Sequence, residues 1–274
     1  MYNGMLHFFN SSQLSRYVNI FEVVISEFGH SSYGCYTWPS AKVLAALLVQ
    51  SKNKYAGKHI LELGAGTALA GLTLAKVVHA ATVVFTDHPM YSQVIQNLQY
   101  AIELNHVQDY CTVKPLIWGD FSGSIAQLLQ CHPDGFDVII GADVMYDPKD
   151  FEILLSTVSV ILKASPPDAV FLMTYQERSS RRSIQWLLDK WGLCCQQVHL
   201  DLFDTLDWME DMMMIQSLES YNVRSTENEC HKDQYDIDDI CKLPIQQISN
   251  EESSHSQSGI TSVMTFEIRL CHTG

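Results

Sequence analysis

From residue 59 onward, short apolar runs alternate with longer segments whose apolar positions recur every three or four residues. The runs at 59–63, 82–87, 111–118, 136–142, 169–174 and 193–200 read as strands. The segments at 68–79, 90–105, 121–131, 149–163 and 179–191 read as helices. A further helix is expected over 39–48, with Pro39 in its first turn. Val138-Ile-Ile140 is apolar at every position, as a strand covered on both faces of a parallel sheet must be. Residues 263–270 instead alternate apolar and polar, which suits a last strand that pairs antiparallel. Repeated strand–helix units imply right-handed crossovers and helices on both faces of one sheet. The expected architecture is α/β: a Rossmann-like, seven-stranded, doubly wound sheet, mostly parallel with an antiparallel last strand.

The ends of this pattern are less regular. Residues 1–16 read as a polar, frayed terminus, and 17–28 as a single edge strand. Between 193–200 and the last strand, residues 202–218 carry Met and Trp and suit a short amphipathic helix. Residues 219–258 are rich in Ser, Asn, Gln and Asp and read as disordered. The expected organisation is an N-terminal extension over 1–30, a main α/β body over 31–203 and 259–274, and an acidic insertion over 204–258.

The strand at 59–63 runs into Glu62-Leu-Gly64-Ala-Gly66-Thr67. Glycines at this turn let a ligand approach the backbone, because no Cβ intervenes. The spacing is not that of a dinucleotide fingerprint, G-x-G-x-x-G: Leu69 stands at the third position and the next glycine is Gly71. Glu62, two residues before the first glycine, would repel a pyrophosphate but suits a cationic or zwitterionic nucleoside.

Charge sharpens the division of the chain. Of a net −14, residues 201–258 hold 14 acids and 3 bases, so the body is nearly neutral and the insertion strongly acidic. No basic surface for nucleic acid is evident, and no apolar stretch is long enough to span a membrane. No signal-peptide pattern opens the chain, so the sequon at Asn10 is expected to be unused. The eight cysteines contain no C-x-x-C pair, which favours a reducing compartment and argues against zinc.

In an open α/β sheet, ligands bind beyond the carboxyl ends of the strands. Asp87 ends the second strand of the pattern, 21 residues after Gly66, and suits ribose hydroxyls, with helix capping as its structural alternative. Trp118-Gly119-Asp120 follows the third, where Trp118 packs on an adenine or in the core and Asp120 caps a helix, contacts the base, or does both. Asp143 and Tyr146 follow the fourth; Asp143 is expected to point to the substrate side, with turn hydrogen bonding as its structural alternative. Tyr175 and Glu177 follow the fifth and are expected to line a pocket, with Arg178, Arg181 and Arg182 on a solvated helix face. Trp38, before the first helix, reads from sequence alone as a packing anchor. No G-x-S-x-G elbow or P-loop is present.

Five blocks occur in order: Tyr36-Thr-Trp38-Pro39-Ser-Ala41, Ile60-Leu-Glu62-Leu-Gly64-Ala-Gly66, Trp118-Gly119, Ala142-Asp143-Val-Met-Tyr146 and Thr174-Tyr175-Gln176-Glu-Arg178. Together they resemble family 16 of the methyltransferase-like proteins, over roughly 17–203 and 260–271. The E-x-G-x-G turn alone is moderately specific; the D-x-x-Y block combined with W-P is more so. The resemblance implies S-adenosylmethionine as cofactor and a protein substrate methylated on a side-chain nitrogen, mostly lysine. One branch of the family is associated with histone arginine methylation and with nucleus and cytoplasm. Histones and chaperones are the partners implied. By this resemblance Glu62, Gly64 and Gly66 hold the methionine and ribose end of the cofactor, Trp38 also contacts it, Asp87 binds the ribose and Trp118 flanks the adenine. Asp143 and Tyr146 line the methyl-transfer site. The insertion departs from the family pattern and inherits no role. A small-molecule methyltransferase and a non-catalytic partner-binding module stay open as alternatives.

Overall fold

The computed structural model describes residues 2–10, 19–27, 33–178, 183–198, 215–217 and 263–271. Strands β3 (His59–Glu62), β4 (Thr82–Asp87), β5 (Cys111–Pro115), β6 (Val138–Ala142), β7 (Val170–Gln176), β8 (Leu193–Val198) and β10 (Val263–Leu270) form one sheet. Its order is β5-β4-β3-β6-β7-β10-β8. The pairs from β5 to β7 are parallel, and β10 runs antiparallel to both β7 and β8. The seven-stranded, doubly wound arrangement expected from the pattern is therefore present. Strand order reverses between β3 and β6, which opens the crevice where such sheets take ligands.

The core follows from period-two alternation on a sheet covered twice. Ile60, Val83, Phe85, Val138, Ile140 and Leu172 face one layer, built from α1 (Pro39–Gln50), α3 (Leu69–Thr73) with its continuation in wider i→i+5 turns over Leu74–Val78, and α4 (Ser92–Leu104). Leu61, Leu63, Val84, Ile139, Phe171 and Met173 face the other, built from α5 (Ser124–Cys131), α6 (Phe151–Lys163) and α7 (Gln185–Trp191). A one-turn helix, α2 (Lys52–Tyr55), follows α1.

The N-terminal expectations are corrected. Residues Tyr2–Asn10 form a strand, β1, paired antiparallel along its whole length with β2 (Asn19–Glu27), where fraying was expected; residues 1 and 11–16 lie outside the described residues. The edge strand expected at 17–28 is present as β2, at one edge of a second sheet of order β2-β1-β9, in which β9 is Ile215–Ser217. This sheet packs through Val23 and Ile25 on the first helical layer. Asn105 imitates a neighbouring strand: its Oδ1 accepts from Val24 N at 2.9 Å and its Nδ2 donates to Val24 O at 2.7 Å. Asn97 Nδ2 donates to Ser26 O at 2.8 Å. Such side-chain bonds satisfy strand groups that would otherwise be buried unpaired. Ile215–Ser217, expected within a helix, is strand β9 on the other side of β1. The rest of the expected insertion, 204–258, lies outside the described residues.

The third glycine missing from the fingerprint reappears two residues late. Gly71 sits where α3 crosses the sheet, and a Cβ there would come within 2.3 Å of Glu62 Oε2 and 2.4 Å of Phe85 Cε1. Gly71→Ala gains about 1 kcal/mol of helix propensity but overpacks a closed contact at about 1–3 kcal/mol. A net loss is expected, read as a fall in the thermal unfolding midpoint. An unchanged or higher midpoint would show that the layer yields without cost.

Candidate functional site

The turn between β3 and α3 sits at the crevice. Gly64, Gly66 and Ala68 all have left-handed backbones, with φ of 59°, 55° and 65°. Two of the three are glycine, the residue that adopts this conformation without a Cβ penalty. The turn is fastened to the end of β4: Ala65 N donates to Thr86 O at 2.9 Å, and Gly66 N to Asp87 Oδ2 at 3.1 Å. His88 N donates to the other oxygen, Oδ1, at 2.8 Å. Burial raises the Asp87 pKa, and the two amides partly offset that rise. Each carboxylate oxygen has two acceptor sites, so one on each remains beyond these amide bonds.

Three further segments close on the turn. Residues 34–38 lie against Gly66, where an added Cβ would meet Gly34 O at 3.1 Å. Thr37 and Thr67 share a hydroxyl–hydroxyl bond of 2.9 Å, and Thr37 N donates to Glu27 Oε1 at 2.7 Å. Trp38 is half-buried at the start of α1, edge-on to Tyr36 at 5.1 Å. Next to Gly64 lie Val144, 3.0 Å from an added Cβ, and the six-membered edge of Trp118, 3.6 Å away. Gly64, Gly66, Asp87, Trp118 and Trp38 are thus gathered at one end of the sheet. Asp120 caps α5, accepting from Gly123 N and Ser124 N at 3.1 and 2.7 Å.

Glu62 is placed differently from its expected contact with the cofactor. It is 2% exposed, and its Oε2 accepts from Gly71 N at 3.2 Å. It supports the turn from behind, under α3. Burial, with the charge of Asp87 adding to it, raises its pKa to about 8.

Beyond β6, Asp143 has φ 56°, is 5% exposed, and donates its N–H to Thr174 O at 2.8 Å. Its carboxylate is not open to the crevice. Arg178 Nη1 donates to Oδ1 at 2.7 Å and Nη2 to Oδ2 at 2.5 Å, a bidentate pair that raises the guanidinium pKa. The expectation that Arg178 lies on a solvated face is therefore corrected, and the Asp143 carboxylate, expected on the substrate side, is bound to it. Tyr146 is 53% exposed, and burial together with Tyr91, Asp150, Asp87 and Asp147 raises its pKa, so it stays a neutral phenol.

Tyr175 and Glu177 line a cavity of about 440 Å³ between the sheet and α6 and α7, walled by Met145, Met173, Met264 and Phe266. None of Gly64, Gly66, Asp87 and Trp118 borders it. Val144 packs on Gly64 while Met145 lines the cavity, so the turn after β6 is the wall between crevice and cavity. Glu177 has no ion-pair partner among the described residues. Sequence reasoning missed Thr37–Thr67, Gly71 and Arg178. Gly71 left a signal as a glycine displaced from its usual spacing, and Arg178 as the last residue of the fifth block.

The sheet order is 3-2-1-4-5-7-6, counted along its own seven strands, and the acid-and-glycine turn lies at its switch point, the place where a Rossmann-like fold takes its ligand. The chain belongs to the lysine methyltransferase family, methyltransferase-like family 16, whose profile matches residues 20–188. It is 38% identical over 182 residues to histone-arginine methyltransferase METTL23 of Xenopus laevis, covering 66% of this chain and 74% of that protein. It is 35% identical to the Mus musculus METTL23 over 68% of this chain and 70% of that protein. Protein-lysine methyltransferase METTL21E of Mus musculus is 33% identical over 52% of this chain and 57% of that protein. Among solved structures, the SMU.776 methyltransferase complexed with SAH superposes with a TM-score of 0.51 at 12% identity, over 91% of this chain and 54% of that one.

The buried carboxyl gives a pH test. Glu62 titrates near 8 when folded against an ordinary 4.5, so between those values the folded chain keeps a proton that the unfolded chain has released. Its contribution therefore erodes stability as pH rises through that window. Glu62→Gln removes the titration. The thermal midpoint of the variant relative to the native chain is expected to be higher at pH 8.5 than at pH 5; a difference independent of pH would refute an ionising buried carboxyl.

Proposed function

We propose that this chain transfers a methyl group from S-adenosylmethionine to a side-chain nitrogen of a protein, with arginine of a histone as the acceptor. The observation that carries this reading is the glycine turn fastened to Asp87 at the switch point of a chain belonging to this family. Arginine is favoured by the relatives at 34–38% identity, which are named histone-arginine methyltransferases. Lysine is the second reading, carried by the family description and by the METTL21 relatives. Nucleus and cytoplasm are the compartments proposed.

In this reading Gly64 and Gly66 give the cofactor a backbone without side chains. Asp87 offers ribose hydroxyls its remaining acceptor positions, Trp118 flanks the adenine beside Gly64, and Trp38 closes the other side. When bound, the sulfonium supplies an already activated methyl group. The protein's task is to bring a nitrogen into line and exclude water. Tyr146, a neutral phenol with an exposed ring, is suited to orient the acceptor. Arginine stays charged near neutral pH, so a carboxylate that orients it also attracts it. Glu177 is that acid here, because both Asp143 oxygens are bound to Arg178. The apolar walls of the adjoining cavity suit the aliphatic part of a neighbouring substrate residue.

Incubation with core histones and labelled cofactor, followed by mass spectrometry, is expected to find methylated arginine. Methylated lysine alone would replace the arginine reading. No methylated protein in histones or cell extract would overturn the protein reading and leave a small-molecule enzyme or a binding module. Glu177→Gln is expected to raise KM for a basic acceptor about threefold to fivefold, as for loss of one exposed ion pair, while cofactor affinity stays unchanged. An unaltered KM would remove Glu177 from acceptor recognition.

A further inference from the structure

We propose that Arg178 is a positioning residue of the methyl-transfer site: it ties the Asp143–Tyr146 turn to the end of β7 and takes Asp143 out of direct contact with the acceptor. This rests on the methyltransferase reading of the same site.

The turn needs such a tie. Asp143 leaves β6 with a left-handed φ of 56°, unusual outside glycine, so contacts must hold it there. The contacts come from the end of β7: Thr174 O accepts the Asp143 N–H at 2.8 Å, and Gln176 N points to Oδ1 at 3.4 Å. Arg178 then closes the carboxylate with both terminal nitrogens and sends Nη1 to Gln176 O at 3.3 Å. Of the carboxylate's roughly four acceptor positions, Arg178 and Gln176 take three. The Asp143 side chain is 3% exposed and that of Arg178 31%, so the guanidinium is the lid and the carboxylate lies beneath it. An arriving cation meets Arg178, not Asp143.

What Arg178 holds is the wall described above. Val144 touches Gly64, Met145 faces the cavity, and Tyr146 stands exposed. Lysine carries the same charge but not the planar fork that fits both oxygens at once. The pair therefore fixes the turn's geometry beyond neutralising a charge. Neighbouring residues divide the work: Arg178 turns inward to Asp143, and Glu177 faces the cavity.

The opposite arrangement is an internal stand-in, in which an arriving acceptor guanidinium displaces Arg178 from Asp143. The two differ in sign. Arg178→Met, Arg178→Lys, Asp143→Asn and the double variant Asp143→Asn/Arg178→Gln are made in the full chain. Each is titrated with S-adenosylhomocysteine, assayed on core histones, and followed by hydrogen exchange in the peptide spanning 143–148. Positioning requires cofactor-product affinity within about threefold of native, kcat lowered about tenfold to a hundredfold in Arg178→Met and Asp143→Asn, and KM little changed. Arg178→Lys falls between, and the double variant regains several-fold over either single change because an amide pair restores bonds without charge. Exchange at 143–148 quickens in Arg178→Met. A lower KM or higher kcat in Arg178→Met, or native exchange there, overturns the proposal. Should Arg178→Met fail to fold, Arg178→Lys against the double variant decides by the same criteria. If the native chain methylates no protein, the functional reading fails, and the exchange measurement still decides whether Arg178 holds the turn.

Discussion

The carboxylate of Asp87 takes backbone N–H groups from two places, the glycine turn after β3 and the start of the segment after β4. That shared acceptor fixes how two adjacent parallel strands end. Parallel pairing brings β3 and β4 side by side, but it does not set the path of the chain beyond them. With Gly66 held to Asp87, the left-handed turn presents its backbone to the crevice, and residues 34–38, Trp118 and Val144 can pack on it from three directions. The cost is a buried acid, seen in the raised pKa of Asp87 and in the still larger rise at Glu62 beneath α3. Glu62 keeps its proton near neutral pH, which leaves Asp87 as the acid at the crevice.

The same logic operates on the acceptor side with the opposite solution. Asp143 is as buried as Glu62, yet its charge is matched by a guanidinium in a bidentate pair. Truncating one partner of such a pair leaves the other buried and unpaired, so the pair is costly to break. The turn it fixes separates a crevice with an acid and a tryptophan from a cavity with methionine and aromatic walls. A methyl donor and a protein side chain have these contrasting requirements. The division between the two spaces falls where strand order reverses, as the architecture demands.

The main sheet was legible because a doubly covered strand must be apolar at consecutive positions while its helices keep a period near 3.6. β6 and β7 announce themselves in this way. β1 was not legible: apolar residues at 5, 6, 8 and 9 were averaged with the polar stretch that follows, and its pairing with β2 is a tertiary fact. Gly64, Gly66, Asp87 and Trp118 could be found because strand ends and glycine spacing mark them, whereas Trp38 was marked only by the family resemblance. The inward turn of Glu62 and the grip of Arg178 on Asp143 could not. Both depend on contacts between elements, nine residues apart in one case and 35 in the other, and neither leaves a periodic trace. Arg178 beside further arginines looks like a solvated face until β6 and β7 are laid next to each other.

The central claim is that the turn and Asp87 form the cofactor's seat. Calorimetric titration of the full chain with S-adenosylhomocysteine, for the native protein and for Asp87→Ala, tests it most directly. The account expects saturable binding, about tenfold or more weaker in the variant, since hydrogen bonds to a charged acceptor contribute about 1.5–3 kcal/mol. A folded native chain that binds none, or an Asp87→Ala chain that binds as tightly as the native one, would contradict it.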